Sequence, residues 1–109
     1  MRKLTENERT LIEHLLIFAE CDYSNLDQVI VNVINEYTST IRSTHLGLHE
    51  RIESVSDTNF KDMDGVHVEV ILFVDKKRQF AELLIWKVDD TRLHRLPSSL
   101  SEYGTSTKL

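Results

Sequence analysis

Two glutamates and one histidine are the side chains whose spacing could support acid–base chemistry. Glu69 and Glu82 lie in two apolar segments that are predicted to pair as a hairpin, and His67 lies two residues before Glu69. With a two-residue turn these carboxylates become diagonal neighbours on one face, roughly 5–8 Å apart. Carboxylates brought together in an apolar setting have their pKa values pushed apart, as a general acid and a general base require. A salt bridge to Arg42 or Arg92 would explain the same glutamates without catalysis.

Aromatic side chains on the same predicted face favour a binding surface over a catalytic one. Phe73, Phe80 and Trp86 would lie beside the acidic residues, and aromatic anchors next to charges are typical of protein interfaces. Such a face would recognise a cationic partner. A tryptophan in a strand can equally be core beneath another element, so both interpretations of Trp86 stay open. The residues predicted to bind are Phe73, Phe80, Trp86, Glu69, Glu82 and His67.

A second pair of histidines is spaced like zinc ligands on a helix. His45 and His49 are four residues apart, and Glu50 and Glu53 follow them. Gly47 lies between the histidines, and its strand-like surroundings argue against a helix there. We therefore interpret them as exposed polar residues near a strand end and predict no metal site.

The remaining motifs that could bind a cofactor fail on spacing or composition. A calcium-binding loop starting at Asp57 would have Lys61 at its fifth position, Asp62 at its glycine position and Val68 at its final glutamate position. The lone cysteine, Cys21, is more typical of a packed small apolar residue than of a nucleophile. Three glycines could hardly build a phosphate-binding loop. We predict no cofactor.

The hairpin that positions the glutamates and aromatic residues is predicted from period-two patterning. Aliphatic residues occupy every even position of residues 66–74, and residues 79–88 return with the same character after a charged turn. A turn at Lys76 and Lys77 places Leu72 opposite Ala81. A one-residue slip would exchange the partners. One face is then almost wholly apolar, carrying Val66, Val68, Val70, Leu72, Val74, Ala81, Leu83 and Ile85.

An amphipathic helix is predicted at the N-terminus to cover that apolar face. Thr5 and Glu8 have the spacing of a capping box, so the helix should begin there and end near Glu20. Its apolar residues recur at helical spacing: Leu4, Leu11, Ile12, Leu15, Phe18 and Ala19.

The middle of the chain allows two interpretations. Residues 28–34 are rich in β-branched side chains, which favours a strand, although apolar residues at helical spacing and a cap at Ser24 and Asp27 would also suit a helix. Residues 38–48 are rich in Ser and Thr and suit a polar strand. Residues 50–65 read as a long surface loop that ends in a turn at residues 62–65.

Composition indicates one acidic domain. The chain has 109 residues, with 13 Lys and Arg against 18 Asp and Glu, a formal net charge of −5 that disfavours nucleic-acid binding. Residues 1–100 are predicted to form one domain and residues 101–109 a frayed tail. No apolar run is long enough for a membrane span, and the acidic N-terminus lacks a signal-type apolar core. A single cysteine cannot form an internal disulfide, which agrees with a reducing compartment. We therefore predict that the protein is cytoplasmic and has no membrane partner.

One segment near the end of the predicted hairpin resembles a known group of proteins. It is the string Glu82-Leu83-Leu84-Ile85-Trp86-Lys87-Val88-Asp89, followed by Leu93 and Leu96-Pro97. It resembles the second half of small uncharacterised bacterial α+β proteins with an E-L-x-I-W-K-x-D strand. The resemblance covers residues 66–100 and transfers no site residue. Some small acidic bacterial proteins of this architecture are immunity proteins, so the resemblance implies an immunity-type inhibitor of a toxin.

These patterns together predict an α+β fold, with the N-terminal amphipathic helix packed on an antiparallel sheet of three to four strands around a central hairpin at residues 66–88. The second sheet face needs a cover: a helix from residues 24–43, a second subunit or a partner. We expect a non-enzymatic domain that binds a basic protein, of which the immunity-type inhibitor is one form. The alternatives are a homodimer of structural role and a small hydrolase that uses Glu69, Glu82 and His67.

Overall fold

The computed structural model describes residues 1–47 and 49–109. In this part of the chain seven strands form one antiparallel sheet, and one α-helix packs on it. The elements are β1 (Arg2–Lys3), α1 (Glu6–Phe18), β2 (Ile30–Asn35), β3 (Thr40–Ser43), β4 (Glu53–Lys61), β5 (His67–Val74), β6 (Phe80–Lys87) and β7 (Thr107–Lys108). The strand order is β1-β2-β3-β6-β5-β4-β7. None of the described helices is long and apolar enough to cross a membrane.

The start of α1 confirms the predicted capping box. The Glu8 amide donates to the Thr5 hydroxyl at 3.2 Å, and the Thr5 amide donates to the Glu8 carboxylate at 2.8 Å. Arg2 adds two hydrogen bonds to the same carboxylate, at 2.7 and 2.9 Å. Burial raises the pKa of Glu8, but the bonds from Arg2 and Thr5 outweigh burial and hold that pKa below its usual value. The helix is thus joined to β1 at its first turn.

The core lies between α1 and the sheet, as the apolar pattern predicted. The helix contacts β4, β5 and β6. Leu11, Ile12, Leu15 and Leu16 are fully buried along its inner side. They meet the even residues of β5 and the odd residues of β6 on the facing side of the sheet. The predicted apolar face of the hairpin is therefore the face that α1 covers.

The pairing of β5 with β6 differs from the predicted register by two residues. The Asp75 amide bonds to the Gln79 carbonyl around a three-residue turn, in which Arg78 has a positive φ of 61°. A bulge at Ala81 then adds one more residue to β6. Since the longer turn and the bulge each shift the pairing by one, Leu72 lies opposite Leu83. A shift of two leaves most side chains on their predicted faces.

Phe80 is the residue that the bulge moves to the other face. It pairs with Val74 and is fully buried in the core. The prediction that Phe80 lies on the same face as Trp86 is therefore wrong. Because the extra residue falls between Phe80 and Glu82, only side chains on the turn side of the bulge change face.

The prediction of a surface loop over residues 50–65 is also wrong, apart from its closing turn. Residues 53–61 form β4, which pairs along β5. A loop was predicted here because Ser56 and Thr58 are polar, although both face the core. Their hydroxyls donate to the Leu15 carbonyl at 3.1 Å and the Gly104 carbonyl at 3.4 Å, so they can be buried. The turn at residues 62–65 is confirmed by its closing bond.

The sheet is wider than predicted, which corrects the fold class. The chain is mostly sheet, seven strands with one short helix in the described residues, and not an α+β fold with three to four strands. Residues 30–35 and 40–43 are strands, which resolves the ambiguity over residues 24–43. Of the predicted polar strand at residues 38–48, Thr40–Ser43 is β3, and Leu48 lies outside the described residues. The edge strands β1 and β7 are two residues long and too short to leave a pattern.

The C-terminal residues are held against the sheet rather than frayed. Thr107 and Lys108 pair with Asp57 and Ser56 of β4. The Lys108 ammonium also lies 2.7 Å from the Glu20 carboxylate at the end of α1. The frayed tail predicted for residues 101–109 does not match this pairing.

Truncation of Leu15 should destabilise the fold strongly. The change Leu15→Ala leaves a cavity between α1 and the sheet, so the free energy of unfolding should fall by about 2–5 kcal/mol in urea titrations. Ile17→Ala is the matched control, since Ile17 lies on the same helix and is 51% exposed. Its effect should stay within about 0.5 kcal/mol. Equal losses in both variants would contradict this assignment of the core.

Candidate functional site

The sheet face opposite α1, here called the open face, is the surface on which most predicted site residues lie. In β5 the odd residues are partly exposed while the even ones are buried, and β6 shows the converse alternation. No described helix covers this face. Its central residues are Ile34, Arg42, Glu69, Ile71, Phe73, Glu82, Leu84 and Trp86.

A groove of about 490 Å³ runs across the open face between the β2–β3 hairpin and β6. Backbone pairing of β3 with β6 is limited to Ile41 opposite Leu83 and Arg42 opposite Glu82. Beyond these pairs, the Thr40 hydroxyl bonds to the backbone of β6. The two strands therefore separate at Thr40, and the groove opens there.

The groove is lined mainly by apolar side chains, with charges of one sign. Ile34, Ile71, Leu84 and Trp86 form its apolar walls. Its charged lining residues in the described structure are Glu69 and Asp90, and both are acidic. Asn35, Thr38, Thr40 and Ile85 complete the lining. The groove can therefore accept an apolar group that carries a positive charge.

Trp86 is the largest exposed side chain of the groove. Half of its surface is accessible to solvent (50%), and its indole N–H donates to Asp90 at 3.2 Å. This contact fixes the ring at the wall nearest the turn after β6. The sequence left open whether Trp86 is a core residue or an exposed anchor, and the structure shows that its side chain is not sealed in the core.

Glu69 and Glu82 are too far apart to act as an acid–base pair. Glu69 lies opposite Trp86, whereas Glu82 lies opposite Phe73, so four residues of strand separate them, about 13 Å. The two-residue difference in register is the cause. Glu69 instead contacts His67 at 2.6 Å, and Glu82 forms the predicted ion pair with Arg42 at 3.1 Å.

Five of the six predicted binding residues share the open face, and Phe80 does not. His67, Glu69, Phe73, Glu82 and Trp86 lie along β5 and β6. Sequence reasoning missed the contribution of the β2–β3 hairpin and of Asp90. The apolar Ile34 at the end of a strand, before a polar turn, was the available signal that this hairpin had an exposed apolar side.

A buried ion cluster lies at the end of β6, on the side of the sheet opposite the groove. Lys87 has a fully buried side chain. Its ammonium group lies 2.9 Å from Asp62, 2.6 Å from Asp64 and 3.2 Å from the Arg92 carbonyl oxygen. The same Asp62 oxygen accepts the His94 amide at 2.8 Å. The cluster therefore joins the turn between β4 and β5 to the segment after β6.

Hydrogen bonding has a larger combined effect than burial on the pKa of each charged group in the cluster. Burial lowers the pKa of Lys87, but the bonds to Asp64 and Asp62 raise it above its usual value. Burial likewise raises the pKa of Asp62, and the bonds from His94 and Lys87 bring it below the usual value. The pKa of Asp64 is lowered mainly by its bond from Lys87. All three groups are charged at neutral pH.

Asp62, Asp64 and His94 also have the arrangement of metal ligands. Their ligand atoms lie within 4.8 Å of one another. The Lys87 ammonium already lies between the two carboxylates and supplies the positive charge that a metal ion would bring. We therefore assign the cluster as an ion pair network and not as a metal centre.

A family model described as a domain of unknown function, DUF6984, matches residues 1–97. The chain belongs to the DUF6984 family. The match confirms the prediction of a small uncharacterised domain family and includes β1 to β6 with α1. Comparison with curated proteins and with solved structures gave no match. The immunity function and the bacterial origin implied by the resemblance stay predictions.

Breaking the buried cluster should destabilise this DUF6984 domain. Lys87→Ala leaves Asp62 buried without its ammonium partner, so the melting temperature should fall by at least about 10 °C. Lys87→Met combined with Asp62→Asn removes both charges and should recover most of that loss. Lys77→Ala, at the exposed hairpin turn, is the control and should leave melting unchanged. A single variant that melts like the double variant would contradict the assignment.

The cluster should also set the pH range of stability. The lowered pKa values of Asp62 and Asp64 stabilise the fold fully above their unfolded value of about 4, and this contribution is lost as pH falls through the folded values. The raised pKa of Lys87 stabilises the fold below about 10.4, and that contribution is lost at higher pH. Urea titrations should therefore show a decline below about pH 4. The Lys87→Met, Asp62→Asn variant should decline less steeply; an identical decline would exclude the cluster as a cause.

Proposed function

We propose that this chain is a protein-binding domain whose open face binds a basic partner protein without catalysing a reaction. The observation that supports this most is the groove, where a half-exposed tryptophan lies beside acidic side chains. The partner would insert an apolar side chain next to Trp86 and place a Lys or Arg near Glu69 and Asp90.

The apolar part of the groove supports docking of a protein surface. Trp86 lies with Ile34, Ile71 and Leu84 in one continuous patch. Contiguous exposed apolar patches with a polar rim are typical of interaction sites, and tryptophan is enriched among the residues that dominate binding free energy. Burial of this patch would supply the affinity.

The charges support a cationic partner. Glu69 and Asp90 are acidic, and the net charge of the chain is −5. A negative chain attracts a basic protein over distances near the Debye length, which raises the association rate. Immunity-type inhibition of a basic toxin is one form of this proposal, and the acidity together with the E-L-x-I-W-K-x-D strand supports it.

The charges disfavour one alternative function, and the strand register disfavours the other. In a two-fold homodimer through the open face, Glu69 and Asp90 of each copy would meet a surface of the same sign. A hydrolase that uses Glu69, Glu82 and His67 would need the two carboxylates together, and the register separates them by about 13 Å.

The partner can be captured with a photo-crosslinking amino acid in the groove. We place benzoylphenylalanine at position 84, in the wall beside Trp86, and at position 23 as a control. Tyr23 is also exposed (46%) but lies in the segment after α1, away from the open face. Irradiation in the source cells should give a product with a basic protein at position 84 only. A product at both positions, or a product of two copies of this chain, would contradict the proposal.

The captured protein is then purified and titrated with variants. Trp86→Ala should weaken binding by about 30-fold, and Glu69→Lys should weaken it more at low salt than at high salt. Glu69 is chosen over Glu82 because Arg42 already neutralises Glu82. Tyr23→Ala is the matched control and should bind normally. Trp86 is the only tryptophan, so its fluorescence reports binding of the Glu69→Lys and Tyr23→Ala variants, and calorimetry measures the affinity of Trp86→Ala. Unchanged affinity of Trp86→Ala would overturn the assignment of the surface.

A further inference from the structure

A serine, a histidine and an aspartate form a hydrogen-bonded chain at the far end of β3. The Ser43 hydroxyl lies 2.5 Å from Nδ1 of His45, and Nε2 of His45 lies 2.8 Å from Oδ2 of Asp75. The aspartate begins the turn between β5 and β6. The three residues are close in space because β3 pairs with β6 and the turn folds back beside them.

The hydrogen bonds of Asp75 place a ring proton on Nε2 of His45. Oδ1 of Asp75 accepts the amides of Lys77 at 2.9 Å and Gln79 at 3.0 Å, which leaves Oδ2 for His45. Burial raises the pKa of Asp75, but the bonds from Gln79, His45 and Lys77 bring it below the usual value, so the group is a carboxylate. A carboxylate only accepts, so Nε2 carries the proton. In the tautomer that carries its proton on Nε2 alone, Nδ1 accepts a hydrogen bond from the Ser43 hydroxyl.

A cavity gives solvent access to the hydrogen-bonded residues Ser43, His45 and Asp75. Ser43 and His45 line a cavity of about 220 Å³ with Asn25, Gln28 and Gln79. The His45 side chain is 45% exposed, whereas Ser43 is almost fully buried. Side-chain amides in the lining are groups of the kind that stabilise a developing oxyanion. The buried Oδ1 of Asn25 has no hydrogen-bond partner among the described residues, so it can accept a bond from a water molecule that enters the cavity.

We propose that Ser43 is a nucleophile that reacts with esters of short-chain carboxylic acids. In the step, the Ser43 oxygen forms a bond to the acyl carbon while its proton passes to Nδ1 of His45. The ester bond breaks, and His45 returns the proton to the departing alkoxide. Water then cleaves the acyl-serine by the same proton transfers, releasing the acid and restoring the hydroxyl. Asp75 is a positioning residue that holds the ring and its tautomer.

The protein has a second serine–histidine contact elsewhere, which serves as an internal control. Ser106 lies 3.2 Å from Nε2 of His14. Within the described residues no carboxylate contacts His14. Since the third group is missing there, Ser106 should react far more slowly than Ser43. The Ser43 site is separate from the open face, because Ser43 is buried opposite Val31 while the groove lies on the other side of the sheet.

A fluorophosphonate probe tests the nucleophile directly in the full chain. Intact mass should show one adduct, and peptide mapping should place it on Ser43 and not on Ser106. Ser43→Ala should abolish the adduct and the hydrolysis of p-nitrophenyl acetate, with an unchanged circular dichroism spectrum. Absence of an adduct on Ser43, or equal labelling of both serines, would overturn the proposal even where Ser43→Ala fails to fold.

Two further variants separate catalysis from a structural role. His45→Gly should slow labelling by at least about 100-fold, and added imidazole should restore it, because the exposed ring site can admit the free base. Asp75→Asn keeps an oxygen for the turn amides but presents an amide to His45, and it should slow labelling by at least about tenfold with the melting temperature preserved. Labelling of His45→Gly at the rate of the unmodified chain, or no recovery with imidazole, would contradict the role of His45.

Discussion

The single α-helix of the described structure has to cover a sheet that is much wider than itself. With 13 residues, α1 is about 20 Å long and contacts mainly β4, β5 and β6. Burial of Leu11, Leu15 and their neighbours on one face supplies the main stabilisation, since that face is almost wholly apolar. The other face is left to solvent as a consequence. The groove and its exposed tryptophan exist because the helix can pack on one side only.

The buried Lys87 cluster links the core to this open face. Lys87 and Trp86 are consecutive in β6, so the pleat directs them to opposite sides of the sheet. Asp62 and Asp64 hold Lys87 on the core side, which fixes the end of β6 and therefore the position of Trp86. Buried ion pairs are costly to desolvate and often add little net stability. The value of this cluster lies in the defined position of the strand end and of the segment that follows.

Much of the local structure could be predicted, because it depends on neighbours in the sequence. The capping box at Thr5, the inner side of α1 and the two faces of the β5–β6 hairpin follow from spacing alone. The register did not, because the positive φ of Arg78 and the bulge at Ala81 have no strong sequence signal. β4 was missed because the hydroxyls of buried Ser56 and Thr58 find partners on distant segments.

The candidate sites also combine features that depend on neighbours in the sequence with features that depend on distant contacts. Sequence alone determined that the chain is acidic, that it carries one tryptophan on a strand with apolar residues on both faces, and that one helix can cover one of them. Only the tertiary structure decided that Glu69 and Glu82 are far apart, that Phe80 belongs to the core, and that Ser43, His45 and Asp75 meet. Patterning reports which face a side chain takes, because that depends on period. Which side chains meet across a sheet depends on register, bulges and loop geometry, and these are set by contacts between residues distant in the sequence.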